Sequence, residues 1–389
     1  MTRSAACNLL LSNFLPLYQL MNKLILHKIS VVGFKNYSQL NLHFSEKFNC
    51  IVGDNGGGKT NLLDAIYYLS FTKSYFNLID LQNIHPDSNL FLIQGGFKQG
   101  ENEDEVYCAQ VKGERKQVKV NKNEVARFAD HVGNFPAVMS SPSDIELIFD
   151  GSETRRKFID SIIAQYDRQY LEDSIAYTKA LQQRNAQLKN FSKTGFDADV
   201  LGIWNRQLVE SGNRIYEKRK KISLELLPVF QKYYSAISAD KERVGLTYKS
   251  QLDKGDFEAL LNESIDKDRI MEYTTVGIHK DDWEFKMNDY PIKKFASQGQ
   301  QKSYLLSVKL SQYEFIRLQK RVKPILMLDD IYDKLDENRL KRLIDVLSTD
   351  EFGQVFITDT NEDRIKTLFK GIKSEMKIFN VRDGEIAQS

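Results

Sequence analysis

Gly53-Asp54-Asn55-Gly56-Gly57-Gly58-Lys59-Thr60 is the stretch that decides the fold. It fits the pattern G-x-x-x-x-G-K-S/T, in which a glycine-rich loop wraps around a phosphate chain and turns successive backbone N–H groups toward it. A Cβ at the glycine positions would obstruct that wrapping. Lys59 is expected to reach the β- and γ-phosphates, and Thr60 to place its hydroxyl on Mg²⁺. The stretch therefore predicts a site for ATP with Mg²⁺.

The residues on either side of the loop agree with this assignment. Residues 48–52 are mostly apolar, as in a buried strand, and the apolar residues of 62–69 recur at helical spacing. A helix that begins at the loop presents its partly positive N-terminus to the bound anion. A glycine-rich turn that fits the pattern by chance is the alternative. The strand and the helix on either side favour the phosphate loop.

The composition is that of a soluble globular protein. The chain has 389 residues, of which 41% are hydrophobic and 28% charged, with a net charge of +2, so we expect two or three domains or lobes. A nucleic-acid surface must then be a local patch. The three cysteines show no metal-binding spacing, which favours a reducing compartment, and we expect the cytoplasm. No later apolar run is long enough to span a bilayer.

The first twenty residues differ from the rest of the chain. Their apolar run is interrupted by Pro16 and lacks the small-residue cleavage site of a secretory signal. A strongly alternating strand pattern begins at Met21. We expect that Met21 is the true start, and that residues 1–20 are a disordered extension or come from a mis-assigned start.

Two sheets are predicted on either side of the phosphate loop. A strand pair precedes the loop, and Lys35 and Asn36 lie on its connection, where they either contact the nucleotide or form a solvated turn. Beyond the helix, residues 90–120 alternate as a small antiparallel sheet does.

A mostly helical region follows from Ser143 to about Ser235. It carries two basic clusters, and their candidate DNA-phosphate contacts are Arg155, Arg156, Lys218, Arg219 and Lys220. The alternative is that each cluster is a solvated helix face. A charged linker is expected from Asp253 to Arg269.

A second anion site is predicted at Ser297-Gln298-Gly299-Gln300-Gln301, because a serine and a glycine there open a helix. A hydroxyl, backbone N–H groups and the helix dipole would all face an anion. One nucleotide rarely needs two such sites in one protein. We therefore expect Ser297, Gly299 and Gln300 to close on the γ-phosphate of ATP held by another subunit.

Two carboxylates are predicted at the mouth of the phosphate site. The apolar run 325–328 has the composition of a central parallel strand and ends at Asp329 and Asp330. Asp329 is expected to bind Mg²⁺, and Asp330 to orient or deprotonate the attacking water, so that Asp330 and Lys59 are the catalytic candidates. Two solvated acids that close a strand are the alternative. Residues 355–359 form a further buried strand, whose polar end is a candidate γ-phosphate sensor.

These motifs together resemble the ABC-type ATPase heads of chromosome-maintenance and DNA-repair proteins, and within that group the RecF family. The resemblance covers nearly all of the chain from Met21 onward. It rests on these segments in this order: Gly33-Phe34-Lys35-Asn36-Tyr37, the phosphate loop through Leu63, Ser141-Pro142-Ser143-Asp144, Arg155 to Asp160, His279-Lys280-Asp281-Asp282 and Ser297 to Gln301.

The resemblance implies an α/β fold, namely a P-loop ABC-type ATPase head with an inserted, mostly helical lobe. The ATPase lobe would comprise 21–142 and 276–389, and the helical lobe 143–275. The resemblance also implies ATP-dependent homodimerisation, DNA binding at single-stranded, duplex or gapped sites, recombinase loading with RecR and RecO, and a part in the SOS response to DNA damage. Asp336 would lie at the dimer interface with Ser297.

The chain departs from the pattern of these ATPases at three positions. Asp330 stands where they generally have a glutamate, Thr358 and Asp359 replace the switch histidine, and Ile278 stands where the family usually has a proline. An aspartate is one methylene shorter than a glutamate. We therefore expect at most a weak, DNA-stimulated ATPase.

Three other protein classes fit the sequence less well. A transporter subunit is disfavoured because a whole helical lobe separates Lys59 from Ser297. A long chromosome-organising protein would need hundreds of heptad-patterned residues. A defence-type nuclease would need about a hundred more residues and a further cluster of metal-binding acids. The alternative kept open is the ATPase head of another chromosome-maintenance or defence system.

Overall fold

The computed structural model describes residues 21–77, 79–239, 242–331 and 335–388, so the predicted extension 1–20 lies outside the described residues. The strands are β1 (Asn22–Phe34), β2 (Tyr37–His43), β3 (Phe48–Val52), β4 (Leu90–Gln99), β5 (Asn102–Val111), β6 (Gln117–Val120), β7 (Asn123–Glu124), β8 (Ala137–Ser140), β9 (Val244–Lys249), β10 (Asp282–Met287), β11 (Tyr290–Pro291), β12 (Val322–Lys323), β13 (Ile325–Leu328), β14 (Val355–Asp359), β15 (Met376–Arg382) and β16 (Glu385–Gln388).

The helices are α1 (Lys59–Phe71), α2 (Glu146–Phe149), α3 (Ser152–Ala164), α4 (Arg168–Thr194), α5 (Ala198–Ser238), α6 (Phe257–Glu263), α7 (Ile265–Met271), α8 (Ile292–Phe295), α9 (Gln298–Lys320), α10 (Glu337–Leu347) and α11 (Glu362–Leu368). The chain forms two compact units. Of the described residues, those up to Pro142 and from Tyr313 onward form one unit, and those within Ser143–Gln312 form the other.

A six-stranded sheet of the first unit positions the phosphate loop. Its strand order is β16-β15-β3-β14-β13-β8, and every neighbouring pair is parallel except β15 and β16. Every residue of β3, β13 and β14 is buried, as expected for strands covered on both faces. The carboxyl ends of these three strands lie at one edge of the sheet, which is where ligands bind to open α/β sheets.

The second sheet of this unit has the strand order β12-β1-β4-β5-β6-β7, with β2 paired to β1. It contains the predicted antiparallel strands between residues 90 and 120, and these are joined by the long strand β1. Helix α1 is buried along almost its whole length and shares one hydrophobic core with both sheets. That burial fixes the helix whose first residue, Lys59, follows the glycine-rich loop.

The second unit is mostly helical and also contains a three-stranded sheet of order β11-β10-β9. Helices α4 and α5 begin at aspartate N-caps, Asp167 and Asp197, whose side chains accept backbone N–H bonds in the first turn. The α/β class with a mostly helical insertion, predicted from the sequence, is confirmed. Residues 276–312 pack within this second unit, and their assignment to the ATPase lobe stays a prediction.

The predicted charged linker from Asp253 to Arg269 is wrong. Residues 257–271 form the short helices α6 and α7, and Asp256 caps the first of them by accepting from Ala259 N–H. Phe257 and Leu261 anchor α6 in the core. These two apolar residues are easily overlooked among the many charges. Among the described residues, no helix combines the length and the apolar character needed to cross a bilayer.

Candidate functional site

The glycine-rich loop lies between the end of β3 and the first residue of α1, as predicted. Gly58 has a φ of 124°, and a Cβ there would lie 2.6 Å from Asn36 Nδ2, so only glycine fits. Lys59 Nζ donates to the carbonyl oxygens of Gly53 (2.8 Å) and Asp54 (2.9 Å). These bonds hold the ammonium group against the loop, where a phosphate chain cradled by the loop would meet it.

Side chains from the connection between β1 and β2 support the loop from behind. Asn36 Nδ2 donates to the carbonyl of Gly57 (3.0 Å), and the Tyr37 hydroxyl donates to the carbonyl of Gly58 (2.9 Å). Asn61 Nδ2 in turn donates to Asn36 Oδ1 (2.7 Å). Asn36 therefore lies against the loop, and its predicted contact with the nucleotide stays a prediction. Tyr37 and Asn61 were not predicted, because neither residue carries a periodic or compositional signal.

Lys35 is held differently from the neighbouring Asn36. Its Nζ lies 2.6 Å from Asp64 Oδ2, and the Asp64 side chain is completely buried in α1. Asp64 also accepts hydrogen bonds from Ser74 Oγ (2.6 Å) and from the Tyr75 backbone N–H (2.7 Å). The ammonium of Lys35 is thus neutralised by a buried carboxylate. Its predicted contact with a nucleotide would require this ion pair to loosen, and it stays a prediction.

The structure brings Thr60 and Asp329 together although they are far apart in the sequence. Thr60 Oγ1 lies 3.0 and 2.9 Å from the two carboxylate oxygens of Asp329. The Thr358 hydroxyl donates to Asp329 Oδ1 at 2.8 Å. Because β14 lies between β3 and β13 in the sheet, Thr358 at its end falls between the loop strand and the aspartate strand. Thr358 was predicted only as part of the polar strand end that could sense the γ-phosphate, and its contact with Asp329 was not predicted.

The two aspartates after β13 have different environments. Burial raises the pKa of Asp329, and hydrogen bonds from Thr358 and Thr60 partly offset this rise. Asp330 has a φ of 53°, in the left-handed region, and its backbone N–H donates to Thr358 Oγ1 at 2.8 Å. The Thr358 hydroxyl therefore contacts both aspartates and fixes the turn that carries Asp330.

The oxygen atoms at this position fit Mg²⁺. Among the described residues there is no group of three or more His, Cys, Asp or Glu side chains that could hold a metal ion. The donors are instead one threonine hydroxyl and the carboxylate of Asp329. Protein sites for Mg²⁺ often supply only one or two oxygens, and water and substrate phosphate complete the octahedron. The pair Thr60 and Asp329 matches that pattern.

Ser297 lies in the second unit, at the N-terminus of α9, and its side chain is exposed. Its backbone N–H donates to Gln300 Oε1 (2.7 Å), and the Gln300 N–H donates to Ser297 Oγ (3.3 Å). This reciprocal pair is a capping box. The predicted helix start, with Gly299 in its first turn, is therefore confirmed.

Asp336 lies in the first unit, at the start of α10. Its carboxylate accepts from the Arg339 backbone N–H (2.9 Å), and it lies 3.3 Å from Arg339 Nε. The Asp336 side chain is 58% exposed. It acts as a helix N-cap and also remains accessible to a second chain, so its place at a dimer interface stays a prediction.

Arg155 and Arg156, two predicted DNA contacts, both have protein partners. Arg155 Nε lies 2.7 Å from Asp282 Oδ1. Arg156 Nη1 donates to Ser152 Oγ (2.6 Å) and to the carbonyl of Asp281 (2.7 Å). Burial lowers the pKa of Arg156. Both guanidinium groups are partly buried, so a DNA contact by either would compete with these bonds.

The basic run on α5 needs one correction. Arg219 is 4% exposed, and its guanidinium donates to Asp160, Asp281, Tyr170 and the carbonyl of Ile278. Burial lowers the pKa of Arg219, but attraction to Asp160 and its other partners raises it further, to well above its ordinary value. The prediction that Arg219 contacts DNA is wrong, because its charge is enclosed in the protein.

The two lysines on either side of Arg219 are accessible. Lys218 Nζ forms an ion pair with Asp167 (2.5 Å), and the Lys218 side chain is 50% exposed. Lys220 is exposed, and its Nζ donates to the Tyr216 hydroxyl (3.2 Å). They remain candidate contacts for DNA phosphates.

Comparison with known proteins shows similarity along nearly the whole chain. The RecF/RecN/SMC N terminal domain family matches residues 25–387. The DNA replication and repair protein RecF of Phocaeicola vulgatus is 46% identical over 94% of this chain and 98% of its own length. The RecF of Flavobacterium johnsoniae is 46% identical over 92% of this chain and 99% of its own length.

Solved structures agree with these relatives. A structure of the recombination mediator protein RecF with ATP in the RecFOR pathway has a TM-score of 0.83 and 29% identity, and it covers 95% of this chain and 100% of its own. The Smc head domain of Pyrococcus furiosus, with a TM-score of 0.56 and 18% identity, covers 94% of this chain and 96% of its own and shares the fold alone. The predicted ABC-type ATPase head fold is confirmed.

Proposed function

The chain belongs to the RecF family of the RecF/RecN/SMC N-terminal-domain proteins, and from this premise we propose that it is an ATP-dependent DNA-binding protein of replication and recombinational repair. The main observation behind the proposal is that Thr60 Oγ1 lies 2.9–3.0 Å from the carboxylate oxygens of Asp329, beside a glycine-rich loop at a helix N-terminus. This is the arrangement in which P-loop proteins bind a nucleoside triphosphate.

Each residue of the loop region has a role in this proposal. The backbone N–H groups of Gly53 to Thr60 surround the phosphates, and Lys59 exchanges its two carbonyl partners for phosphate oxygens. Asn36 stabilises the conformation of the loop by its hydrogen bond to the carbonyl oxygen of Gly57. Thr60 and Asp329 hold Mg²⁺, which neutralises charge on the phosphates when it is bound.

Asp330 orients or deprotonates the attacking water. Its carboxylate is one methylene shorter than the glutamate of related ATPases, so hydrolysis is slow and DNA raises its rate. ATP then acts mainly to hold two copies together, and hydrolysis releases them. The backbone of Asp330 has a left-handed conformation, which its hydrogen bond to Thr358 stabilises. This conformation determines the direction in which the short Asp330 side chain points.

The second copy completes the site. Ser297, Gly299 and Gln300 of one copy meet the γ-phosphate bound by the other, and Asp336 lies at the same interface. The exposure of Ser297 at a helix N-terminus supports this, since a hydroxyl and a positive helix end are available to an anion. A two-fold dimer would contain two such composite sites.

The dimer acts in the cytoplasm on DNA that is gapped or stalled in replication, where it helps to load recombinase together with RecR and RecO. Lys218 and Lys220 are the exposed basic residues that support DNA contact in the helical unit. Arg155 and Arg156 contribute to DNA contact when their hydrogen bonds within the protein are released.

Analytical ultracentrifugation tests the proposal directly. The protein is examined alone, with ATP and Mg²⁺, and with gapped DNA added. We expect a monomer without nucleotide, a dimer with ATP and Mg²⁺, and a loss of that dimer when EDTA removes the metal. Lys59→Met serves as the control that cannot bind ATP. A protein that stays monomeric with ATP, or that dimerises equally well as Lys59→Met, would contradict the proposal.

A further inference from the structure

A carboxylate outside the proposed ATP site holds the side chain of Gln300. Glu242 Oε1 accepts from Gln300 Nε2 at 2.8 Å, and Glu242 Oε2 accepts from the Tyr234 hydroxyl at 3.1 Å. Tyr234 belongs to α5, and all three residues lie in the second unit. Glu242 lies two residues before β9 and lines a cavity of about 530 Å³, which Tyr234 and Asn288 also line.

This contact decides which way the amide of Gln300 faces. A carboxylate only accepts hydrogen bonds, so Glu242 selects the NH₂ end of the amide. The carbonyl end, Oε1, must then face the opposite way, and it accepts from the backbone N–H of Ser297 at 2.7 Å. In the reversed amide, oxygen would face oxygen at Glu242 and NH₂ would face N–H at Ser297. Both contacts would be repulsive, so Glu242 enforces one orientation.

The orientation of this amide controls the backbone at Ser297. The Ser297 N–H is held by Gln300 Oε1, whereas the return bond from Gln300 N–H to Ser297 Oγ is long, at 3.3 Å. Most of the restraint on Ser297 in the capping box therefore comes through the Gln300 side chain. A serine that must meet a phosphate within a few tenths of an ångström depends on such support.

We propose that Glu242 is a positioning residue for the composite ATP site, acting on Ser297 through the side-chain amide of Gln300. The inference rests on the proposed function, in which Ser297 meets ATP bound by a second copy. Glu242 itself touches no nucleotide. Its effect appears in ATP-dependent dimerisation, and not in the binding of ATP to the phosphate loop of one copy.

An exchange of the two side chains tests this inference. In Gln300→Glu, two carboxylates face each other at the 2.8 Å contact, and we expect the dimer formed with ATP to weaken by at least about tenfold. In the double variant Glu242→Gln with Gln300→Glu, the amide of residue 242 donates to the new carboxylate, which still accepts from Ser297 N–H. The net charge of the pair is unchanged, and we expect the dimer to be at least about threefold tighter than that of Gln300→Glu, although still weaker than the wild type because a carboxylate at residue 300 repels the γ-phosphate.

Single variants and controls complete the experiment. Glu242→Gln alone presents either end of its amide, so the orientation of Gln300 is no longer enforced, and we expect dimerisation about tenfold weaker. Glu263→Gln is the matched control, since it removes an exposed carboxylate in the same unit. ATP affinity of the single copy and the midpoint of thermal unfolding are measured for every variant. We expect the ATP affinity to stay within about twofold of the wild type.

The variant Ser297→Arg distinguishes a failure of the proposed function from a failure of this inference alone. If Ser297→Arg still dimerises with ATP as the wild type does, the proposed function is overturned and this inference with it. If Ser297→Arg abolishes dimerisation but the double variant is no better than Gln300→Glu, the inference alone is overturned. A dimer of Glu242→Gln as tight as the wild type would also overturn it. A purely structural role would lower the unfolding midpoint in step with dimerisation in the single variants, and that result would also overturn the inference.

Discussion

Thr358 shows how one buried hydroxyl can organise two carboxylates. It is completely buried, donates to Asp329 Oδ1 and accepts from the backbone N–H of Asp330. The first bond orients the proposed Mg²⁺ ligand, and the second fixes the left-handed turn at Asp330. Outer-shell partners of this kind control metal affinity even though they do not touch the metal.

Thr358→Val tests that role with almost no change in side-chain volume. The variant leaves the Asp330 N–H without its partner and frees Asp329 to rotate. We expect the affinity for Mg²⁺ in the presence of ATP to fall by about tenfold. We expect the free energy of unfolding to fall by about 1–3 kcal/mol. Calorimetric titration at several Mg²⁺ concentrations and denaturant unfolding measure the two effects. Thr358→Ser keeps the hydroxyl, so an equal loss in that variant would exclude the hydrogen bonds as the cause.

Asp330→Asn separates ATP binding from hydrolysis. The amide cannot accept a proton from water, so we expect the turnover rate to fall by about a hundredfold. The ATP-bound dimer should persist, because Thr60, Asp329 and Lys59 are unchanged. Single-turnover hydrolysis and gel filtration with ATP measure the two quantities. Wild-type turnover in Asp330→Asn would remove this residue from the catalytic role.

At the scale of elements, α5 explains why a basic run misleads. Residues 218–221 are four consecutive cations, but successive residues of a helix point in directions about 100° apart. Arg219 lies on the same stripe as the buried residues Ile215, Ile222 and Leu226, at spacings of four, three and seven. The helical spacing of these apolar residues therefore already indicated that the Arg219 side chain faces the protein interior.

Two substitutions on α5 should have opposite effects. Arg219→Met leaves Asp160 and Asp281 without their shared partner, and we expect a loss of about 3–5 kcal/mol in the free energy of unfolding. The salt dependence of DNA binding should not change, provided that the variant is measured where it is folded. Lys220→Gln should leave stability within about 0.5 kcal/mol and reduce the slope of log affinity against log salt by about one. An unchanged slope in Lys220→Gln would place the DNA surface elsewhere.

The turn around His279 predicts a pH dependence of stability. His279 Nε2 lies 3.0 Å from the carbonyl of Thr274, so Nε2 carries the proton, and the Tyr177 hydroxyl donates to Nδ1 at 2.8 Å. Burial lowers the pKa of His279 from 6.5 to about 4. The unfolded chain therefore binds a proton first as pH falls. The stability provided by neutral His279 is complete above pH 6.5 and declines between pH 6.5 and 4.

His279→Gln removes this titration while it keeps one donor and one acceptor. Between pH 7.5 and 5.0, we expect the wild type to lose about 2 kcal/mol more of its free energy of unfolding than the variant. Urea unfolding at both pH values measures the difference, and Asp281 and the other titrating groups are common to both proteins. Parallel pH profiles would show that the pKa of His279 is the same in the folded and unfolded states.

A helix or strand could be predicted from the sequence where the residues that identify it are neighbours in the chain. Apolar runs and a loop motif identify β3, α1 and β13, because a central parallel strand and a phosphate loop carry distinctive residues. The order of the strands is not local: β14 lies between β3 and β13, and this alone brings Thr358 to Asp329. The contacts of Tyr37 and Glu242 likewise depend on the tertiary fold, which no sequence period encodes.

At the scale of the whole molecule, the two halves of the proposed composite ATP site belong to two different units. The phosphate loop, Thr60 and Asp329 belong to the first unit, and Ser297 belongs to the second. In the proposed two-fold dimer, each ATP lies between the loop of one copy and Ser297 of the other. Damage to either half-site in both copies therefore removes both composite sites.

Complementation between two defective variants tests this arrangement. Lys59→Met has no working loop but an intact Ser297, and Ser297→Arg has an intact loop but a blocked serine. Neither variant should dimerise with ATP by itself. In a mixed dimer, the loop of Ser297→Arg faces the Ser297 of Lys59→Met, so one of the two composite sites is complete.

An equimolar mixture of the two variants, with one of them fluorescently labelled, should therefore form a heterodimer with ATP and Mg²⁺ but not without them. With one site in place of two, we expect its dissociation constant to exceed that of the wild-type dimer by at least about tenfold. Sedimentation velocity of the labelled variant measures it, and Lys59→Met mixed with labelled Lys59→Met is the control. If Ser297 acted on the ATP of its own copy, the loop and the serine would have to be intact in the same chain, and the mixture would stay monomeric.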